Sequence, residues 1–271
     1  MASQLPYSTY LIDLDGVVYR GNELIPGAKE FVDWLDANHK KYLFLTNNSF
    51  ATLPQIIAKL EHLGISTKPE HMMSAGQAAI QHIERARPGG TVYVVGEESL
   101  IELVREHNLQ VVSPETIEAD AVLVGLDRDF NYLKLTNAVE IIRNGGMFVA
   151  INRDPLLPIV GGLIPGCGAM VAAIEAASGI TPEVVGKPEP LLLQEAMVLL
   201  QSTPEETVMV GDGLDVDILA GKSAGTHTLF VLSGRNQQDD IEKLAIYPDH
   251  TYKDLAEVLT VLKSEQEQAQ A

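Results

Sequence analysis

Short apolar runs alternate with helix-period segments along almost the whole chain. Residues 10–14 and 42–46 read as buried strands, because a continuous apolar run of roughly four to eight residues suits a strand covered on both faces. Between them, residues 28–38 place Phe31, Val32 and Leu35 on one face, and Pro26 suits a helix start. A second helix is expected to open at Thr52 and Pro54, to carry Ile56, Ile57, Leu60 and Leu63 on one stripe, and to close at Gly64. Residues 207–210 and 228–232 read as two more strands, with a helix opening over 216–220 and a closing helix over 253–262. This alternation predicts an α/β fold, a mostly parallel sheet flanked by helices.

The middle of the chain repeats the pattern on its own. Strands are expected near 92–95, 121–124 and 147–150, and helices near 99–106, 132–143 and 168–177. We therefore expect an inserted α/β domain at 79–182, leaving a discontinuous core of 1–78 and 183–271. Length agrees: the chain has 271 residues, and single cores stop growing near ~250–300.

Apolar residues make up 46% of the chain and charged residues 21%, the balance of a globular protein without general disorder. A formal net charge of −18 argues against a nucleic-acid partner, since no basic stripe exists to displace phosphate counterions. An anionic substrate would need positive charge supplied inside its own site. Cys167 is the single cysteine, which excludes an intrachain disulfide and a thiolate metal cluster. The first ten residues lack a basic region followed by an apolar one, and no run approaches the ~18 apolar residues of a membrane span. A cytoplasmic protein without membrane partners is the expectation, with residues 264–271 fraying in solvent.

Four polar pieces stand at expected strand ends. Asp13 and Asp15 share a face at the end of the first strand, where like charges about 4 Å apart cost roughly 4 kcal/mol at an effective dielectric near 20. A divalent cation would relieve that repulsion. Alone, the pair could equally close an Asp-Gly turn. Thr46-Asn47-Asn48-Ser49 offers a hydroxyl and free backbone N–H groups, which suit phosphate oxygens as well as they suit a turn. Lys187 is pinned between Gly186 and Pro188, which limits how far its ammonium can wander. Asp212, Asp215 and Asp217 follow the strand at 207–210, and one of them is expected to cap the next helix. In open α/β sheets, ligands bind beyond the carboxyl ends of the strands, where all four pieces fall.

In this order the pieces resemble the motifs of haloacid dehalogenase superfamily phosphatases, on the branch typified by NagD and p-nitrophenyl phosphatases. Asp13-Leu14-Asp15-Gly16-Val17 resembles the first motif, Thr46-Asn47-Asn48 the second, Lys187 the third, and Gly211-Asp212 through Asp217 the fourth. The resemblance spans the chain and implies a Rossmann-like core, an inserted type II cap, Mg²⁺ as cofactor and an aspartyl-phosphate intermediate. It implies Asp13 as nucleophile and metal ligand, and Asp15 as general acid, then base, with its carbonyl on the metal. It further implies that Thr46 and the Asn47 N–H hold the phosphoryl group, that Lys187 neutralises it, that Asp212 binds Mg²⁺ and that Asp217 stands one layer out. The implied reaction is hydrolysis of small phosphomonoesters such as sugar phosphates, nucleoside monophosphates and p-nitrophenyl phosphate. Two other readings stay open: a phospho-aspartate signalling module and a non-catalytic phosphometabolite binder. Homo-oligomers occur in such families, and the physiological substrate lies beyond the sequence.

Other signals carry less. Gly221-Lys222-Ser223 imitates the end of a Walker A loop, but Val216 stands where glycine is required and a helix precedes it. Gly166-Cys167-Gly168 lacks the third glycine of a dinucleotide fingerprint, and the seven histidines show no zinc spacing. Asn152, Asp154 and Cys167 resemble cap-loop residues of the family but read equally well as turn and packing residues.

Overall fold

A computed structural model describes residues 5–47, 53–159 and 161–270. Asn48, Ser49 and Thr52, named above, lie outside the described residues. The chain forms two compact units, one built from the two ends of the sequence up to Met73 and from Lys187 onward, the other from Asn47 and Ser74–Gly186.

The first unit is organised by a six-stranded sheet in the order His250–Tyr252, His227–Val231, Thr207–Gly211, Thr9–Asp13, Lys41–Thr46 and Met72–Ser74. The pairings from His250–Tyr252 through to Lys41–Thr46 are parallel, with Ile12 opposite both Val210 and Phe44. Tyr10, Leu11 and Ile12 are fully buried, as expected of a central strand covered on both faces. Helix Ala28–Ala37 turns Phe31, Val32 and Leu35 inward and packs on the last helix, Leu255–Gln270. Directly after the first strand, a hairpin of Tyr19–Arg20 and Glu23–Leu24 projects from the sheet end.

The second unit carries a five-stranded parallel sheet in the order Glu183–Val184, Met147–Ala150, Ala121–Val124, Thr91–Val95 and Gln110–Val111. Its core closes over Val95, Val122, Val124, Ile141, Phe148 and Ile174. Its first helix, Ala75–Ala86, spans the boundary expected at 78/79 and lies wholly in this unit. That helix is started by a capping box, in which Ser74 Oγ accepts from the Gln77 N–H at 3.2 Å and Gln77 Oε1 accepts from the Ser74 N–H at 3.1 Å. Among the described residues, no helix is long and apolar enough to cross a membrane.

Two local expectations are corrected. The stretch 264–270 is helical rather than frayed, because it is tied to the body of the unit: the Leu5 N–H donates to Glu265 at 3.1 Å and Trp34 Nε1 donates to Gln266 Oε1 at 3.2 Å. The helix after Asp212 begins as a wide π-type turn, Leu214–Ile218, led by Gly213 with no side-chain cap, before Leu219–Ala224 continues as α-helix. Gly221 and Lys222 lie inside that helix, where no phosphate loop can form.

Candidate active site

Asp13 ends the central strand, Thr46 ends its neighbour on one side, and Asp212 follows Gly211 at the end of its neighbour on the other. Parallel pairing therefore sets all three at one edge of the sheet, beyond the carboxyl ends of adjacent strands. Lys187 enters from the start of the returning segment, its peptide bond to Pro188 in the cis form. Its Nζ donates to Asp13 Oδ1 at 2.5 Å and to Asp217 Oδ1 at 2.7 Å. The lysine side chain is 2% exposed and that of Asp217 is 3% exposed, so this is a charged network removed from water.

The wide turn after Gly213 serves Asp217. In it the Asp217 N–H donates to the Gly213 carbonyl at 2.8 Å and the Ile218 N–H donates to the same carbonyl at 3.1 Å. In return, the Gly213 N–H donates to Asp217 Oδ2 at 3.0 Å, so this carboxylate is held on both oxygens. Such expanded turns are frequent at functional sites because they aim one side chain differently from a regular helix.

Asp212 is gripped by a segment to which the sequence reading gave no role, Ser233-Gly234-Arg235-Asn236, which follows strand His227–Val231. The Arg235 N–H donates to Asp212 Oδ2 at 2.6 Å, and the Asn236 N–H donates to the Asp212 carbonyl at 3.2 Å. Ser233 Oγ donates to the Gly16 carbonyl at 2.7 Å, tying this loop to the turn that follows Asp13. Gly16 holds a positive φ of +85°, and a β-carbon there would stand 2.1 Å from Asp212 Oδ2. A glycine just past a strand was the visible signal, but its partner was not.

Carboxylate oxygens of Asp13, Asp212 and Asp217 all lie within 4.8 Å of one another, which at an effective dielectric of about 20 costs roughly 3–4 kcal/mol for each like-charge pair. One lysine cannot balance three carboxylates. Burial, with Asp217 and Asp212 nearby, pushes the Asp13 carboxyl up to about 7 against the pull of Lys187. Burial and Asp217 push Asp212 up to about 6. Burial alone would lower Lys187, but Asp13 and Asp217 outweigh it and hold the ammonium charged well above the usual lysine range. The cluster carries surplus negative charge on hard oxygen donors at the sheet edge, a donor set that fits Mg²⁺.

Of the other expected residues, Thr46 is buried at its strand end and Asp15 lies exposed in the turn after the first strand. Asn47 groups with the second unit, where a β-carbon on Gly186 would stand 3.0 Å from its Oδ1. Asp15 and Thr46 thus belong to the same sheet edge as the charged network.

In the second unit the segment Asn152-Arg153-Asp154 is braced by local contacts. Asn152 Oδ1 accepts from the Asp154 N–H at 3.1 Å, an Asx turn, and Arg153 donates to Glu175 through two nitrogens at 2.7 and 3.1 Å. Cys167 is buried with its thiol pushed up to about 11, chiefly by burial, which disfavours a nucleophilic thiolate.

Known proteins fit this geometry. A family model described as haloacid dehalogenase-like hydrolase matches residues 10–110, and one described as HAD-hydrolase-like matches residues 184–258. An acid sugar phosphatase of Staphylococcus epidermidis is 36% identical over 92% of this chain and 95% of its own. The structure of a thermostable p-nitrophenylphosphatase mutant from Bacillus stearothermophilus superposes with a TM-score of 0.83 at 38% identity, covering 93% of this chain and 97% of that one. NagD from E. coli K-12 superposes with a TM-score of 0.83 at 33% identity, covering 93% of this chain and 98% of that one. With its motifs at one sheet edge and relatives matched along nearly their full length, the chain belongs to the haloacid dehalogenase-like hydrolases, as a NagD-like phosphatase.

Proposed function

We propose that the protein is a Mg²⁺-dependent phosphatase of small phosphomonoesters, sugar phosphates foremost, acting through an aspartyl-phosphate on Asp13. The observation that carries the reading is Lys187 bridging Asp13 and Asp217 beside Asp212, an anion-poised nucleophile with a cation on one oxygen. Asp13 attacks phosphorus and the bond from phosphorus to the leaving oxygen breaks, while Asp15 gives that oxygen its proton. Asp15 then takes a proton from water, the water oxygen attacks phosphorus, and the bond to Asp13 breaks to release inorganic phosphate. Lys187 offsets the charge that gathers between carboxylate and phosphoryl group, and Thr46 with the Asn47 N–H holds the phosphoryl oxygens. Asp13, Asp212 and the Asp15 carbonyl would hold Mg²⁺, which supplies Lewis-acid neutralisation of phosphoryl charge when bound. Asp217 stands behind them, fixing Lys187. The sugar-phosphate preference follows the acid sugar phosphatase relative, and the inserted unit at 74–186 is read as the cap that selects the substrate.

Phosphate release from a panel of sugar phosphates, nucleoside monophosphates and p-nitrophenyl phosphate, with Mg²⁺ or with EDTA, tests the reading. We expect Mg²⁺-dependent release that falls by about three orders of magnitude or more in Asp13→Asn. Release that survives both EDTA and Asp13→Asn would overturn it.

A further inference from the structure

Asp212 stands between two glycines, Gly211 and Gly213, and glycine puts few limits on the backbone around it. A β-carbon on Gly211 would stand 2.1 Å from that of Asp217, and one on Gly213 would stand 3.2 Å from Asp217 Oδ2, so the packed carboxylate leaves little room for stiffer residues. The stretch that must hold Asp212 against two like charges is therefore poorly able to hold itself. Asn236 supplies the restraint from 22 residues along the chain. Its N–H donates to the Asp212 carbonyl at 3.2 Å, and its Oδ1 accepts from the Leu214 N–H at 2.9 Å. One residue thus clasps the peptide groups on both sides of Gly213. Both ends of the clasp are anchored. Leu214 is fully buried in a cluster with Ile218, Phe230 and Ile241, and its N–H opens a helical turn, where the backbone offers no acceptor of its own. At the other end, Ser233 Oγ donates to the Gly16 carbonyl at 2.7 Å, and the Arg20 guanidinium donates to the Ser233 carbonyl.

We propose that Asn236 is a positioning residue for Asp212: its side-chain oxygen locks the backbone that presents the carboxylate, and so sets how tightly this sheet edge binds a divalent cation. The inference rests on the reading of Asp212 as a Mg²⁺ ligand. Three carboxylates within 4.8 Å of one another push apart when no cation lies among them. A backbone already fixed in place spares the ion the work of ordering Asp212, and partners one layer out from a metal typically change its affinity by about 10–100-fold.

Titration calorimetry with MgCl₂ alone, on the full chain without substrate, reads the affinity directly. In Asn236→Ala we expect the Mg²⁺ Kd to rise about 10–100-fold. In EDTA the Leu214 amide, followed by NMR, should exchange its hydrogen faster in this variant than in the wild type. A side chain that only caps the turn would lower the urea midpoint and leave the Kd where it was, and that result overturns the inference. Asn236→Asp, which keeps an acceptor for the Leu214 N–H, should return the Kd to the wild-type value or below it; a Kd as weak as in Asn236→Ala also overturns the inference. If Asn236→Ala does not fold, Asn236→Ser, whose oxygen sits one bond nearer the backbone, is read in its place with the same expectation. Asp212→Asn, run alongside, separates the two levels. Mg²⁺ binding at wild-type strength in that variant means that the reading of Asp212 as a ligand has failed, whereas binding lost there with an unchanged Kd in Asn236→Ala means that only the role of Asn236 has.

Discussion

A β-carbon built on Gly234 would stand 1.8 Å from Asp212 Oδ2, so the backbone of one residue forms the wall against which the other's carboxylate rests. The Arg235 N–H that holds this same oxygen follows directly in the chain. Position 234 therefore admits no side chain without moving Asp212. Gly234→Ala should lower stability by about 1–3 kcal/mol, the usual cost of overpacking, and phosphatase activity by a larger factor than Gly76→Ala, where a β-carbon meets only ordinary contacts at 3.7–3.8 Å. Urea unfolding and initial rates on both variants check this, and equal rates would show that the contact does not hold the site.

Lys187→Met leaves Asp13 and Asp217 without their shared cation inside a buried network. Breaking such a network from one side costs about 3–5 kcal/mol, because the charges left behind keep their desolvation penalty. A much lower urea midpoint with an unchanged denaturant slope is expected.

Asp212→Asn should act in the opposite sense on the metal-free protein. It removes one of three mutually repelling carboxylates while keeping an oxygen for the Arg235 N–H. We expect a melting temperature in EDTA equal to or above that of the wild type. Mg²⁺ at about a hundred times its Kd should stabilise the wild type by about 2.7 kcal/mol, and this shift should vanish in the variant. A variant that loses stability in EDTA, or keeps the Mg²⁺ shift, contradicts the charge-repulsion account.

At the far edge of the sheet, His250 and Asp249 make stability depend on pH with one sign. Burial holds the His250 imidazole below its ordinary value of 6.5, with Tyr7 Oη 2.7 Å from Nε2. Burial would raise Asp249, but the Thr228 hydroxyl and N–H, donating at 2.7 and 2.8 Å, outweigh it and hold the carboxyl below 3.8. In both cases the unfolded chain takes up the proton first as pH falls. The stability that these two groups contribute is then fully present above about pH 6.5 and declines below it, first through His250 and, under pH 4, through Asp249, whereas Asp13 and Asp212, raised to about 7 and about 6, contribute with the opposite sign. Relative to the wild type, His250→Gln should lose the His250 part of the pH dependence between pH 7 and 5 in urea titrations and keep the Asp249 part below pH 4.

The sequence by itself determined the alternation of strand and helix, and it set Asp13, Thr46 and Asp212 at strand ends. Both are local matters: burial on two faces writes an apolar run, and a strand stops where polar residues and glycine follow. The capping box of Ser74 and Gln77 was equally local. Tertiary structure alone decided which carboxylates Lys187 would touch, from 174 and 30 residues away, and that the loop at Gly234 would wall in Asp212. It also decided that the polar stretch after Ser264 would stay helical, because Leu5 and Trp34, remote in sequence, supply its hydrogen-bond partners. Local patterning states what a segment prefers. Which distant group satisfies a buried charge depends on chain crossings that no short window of sequence contains.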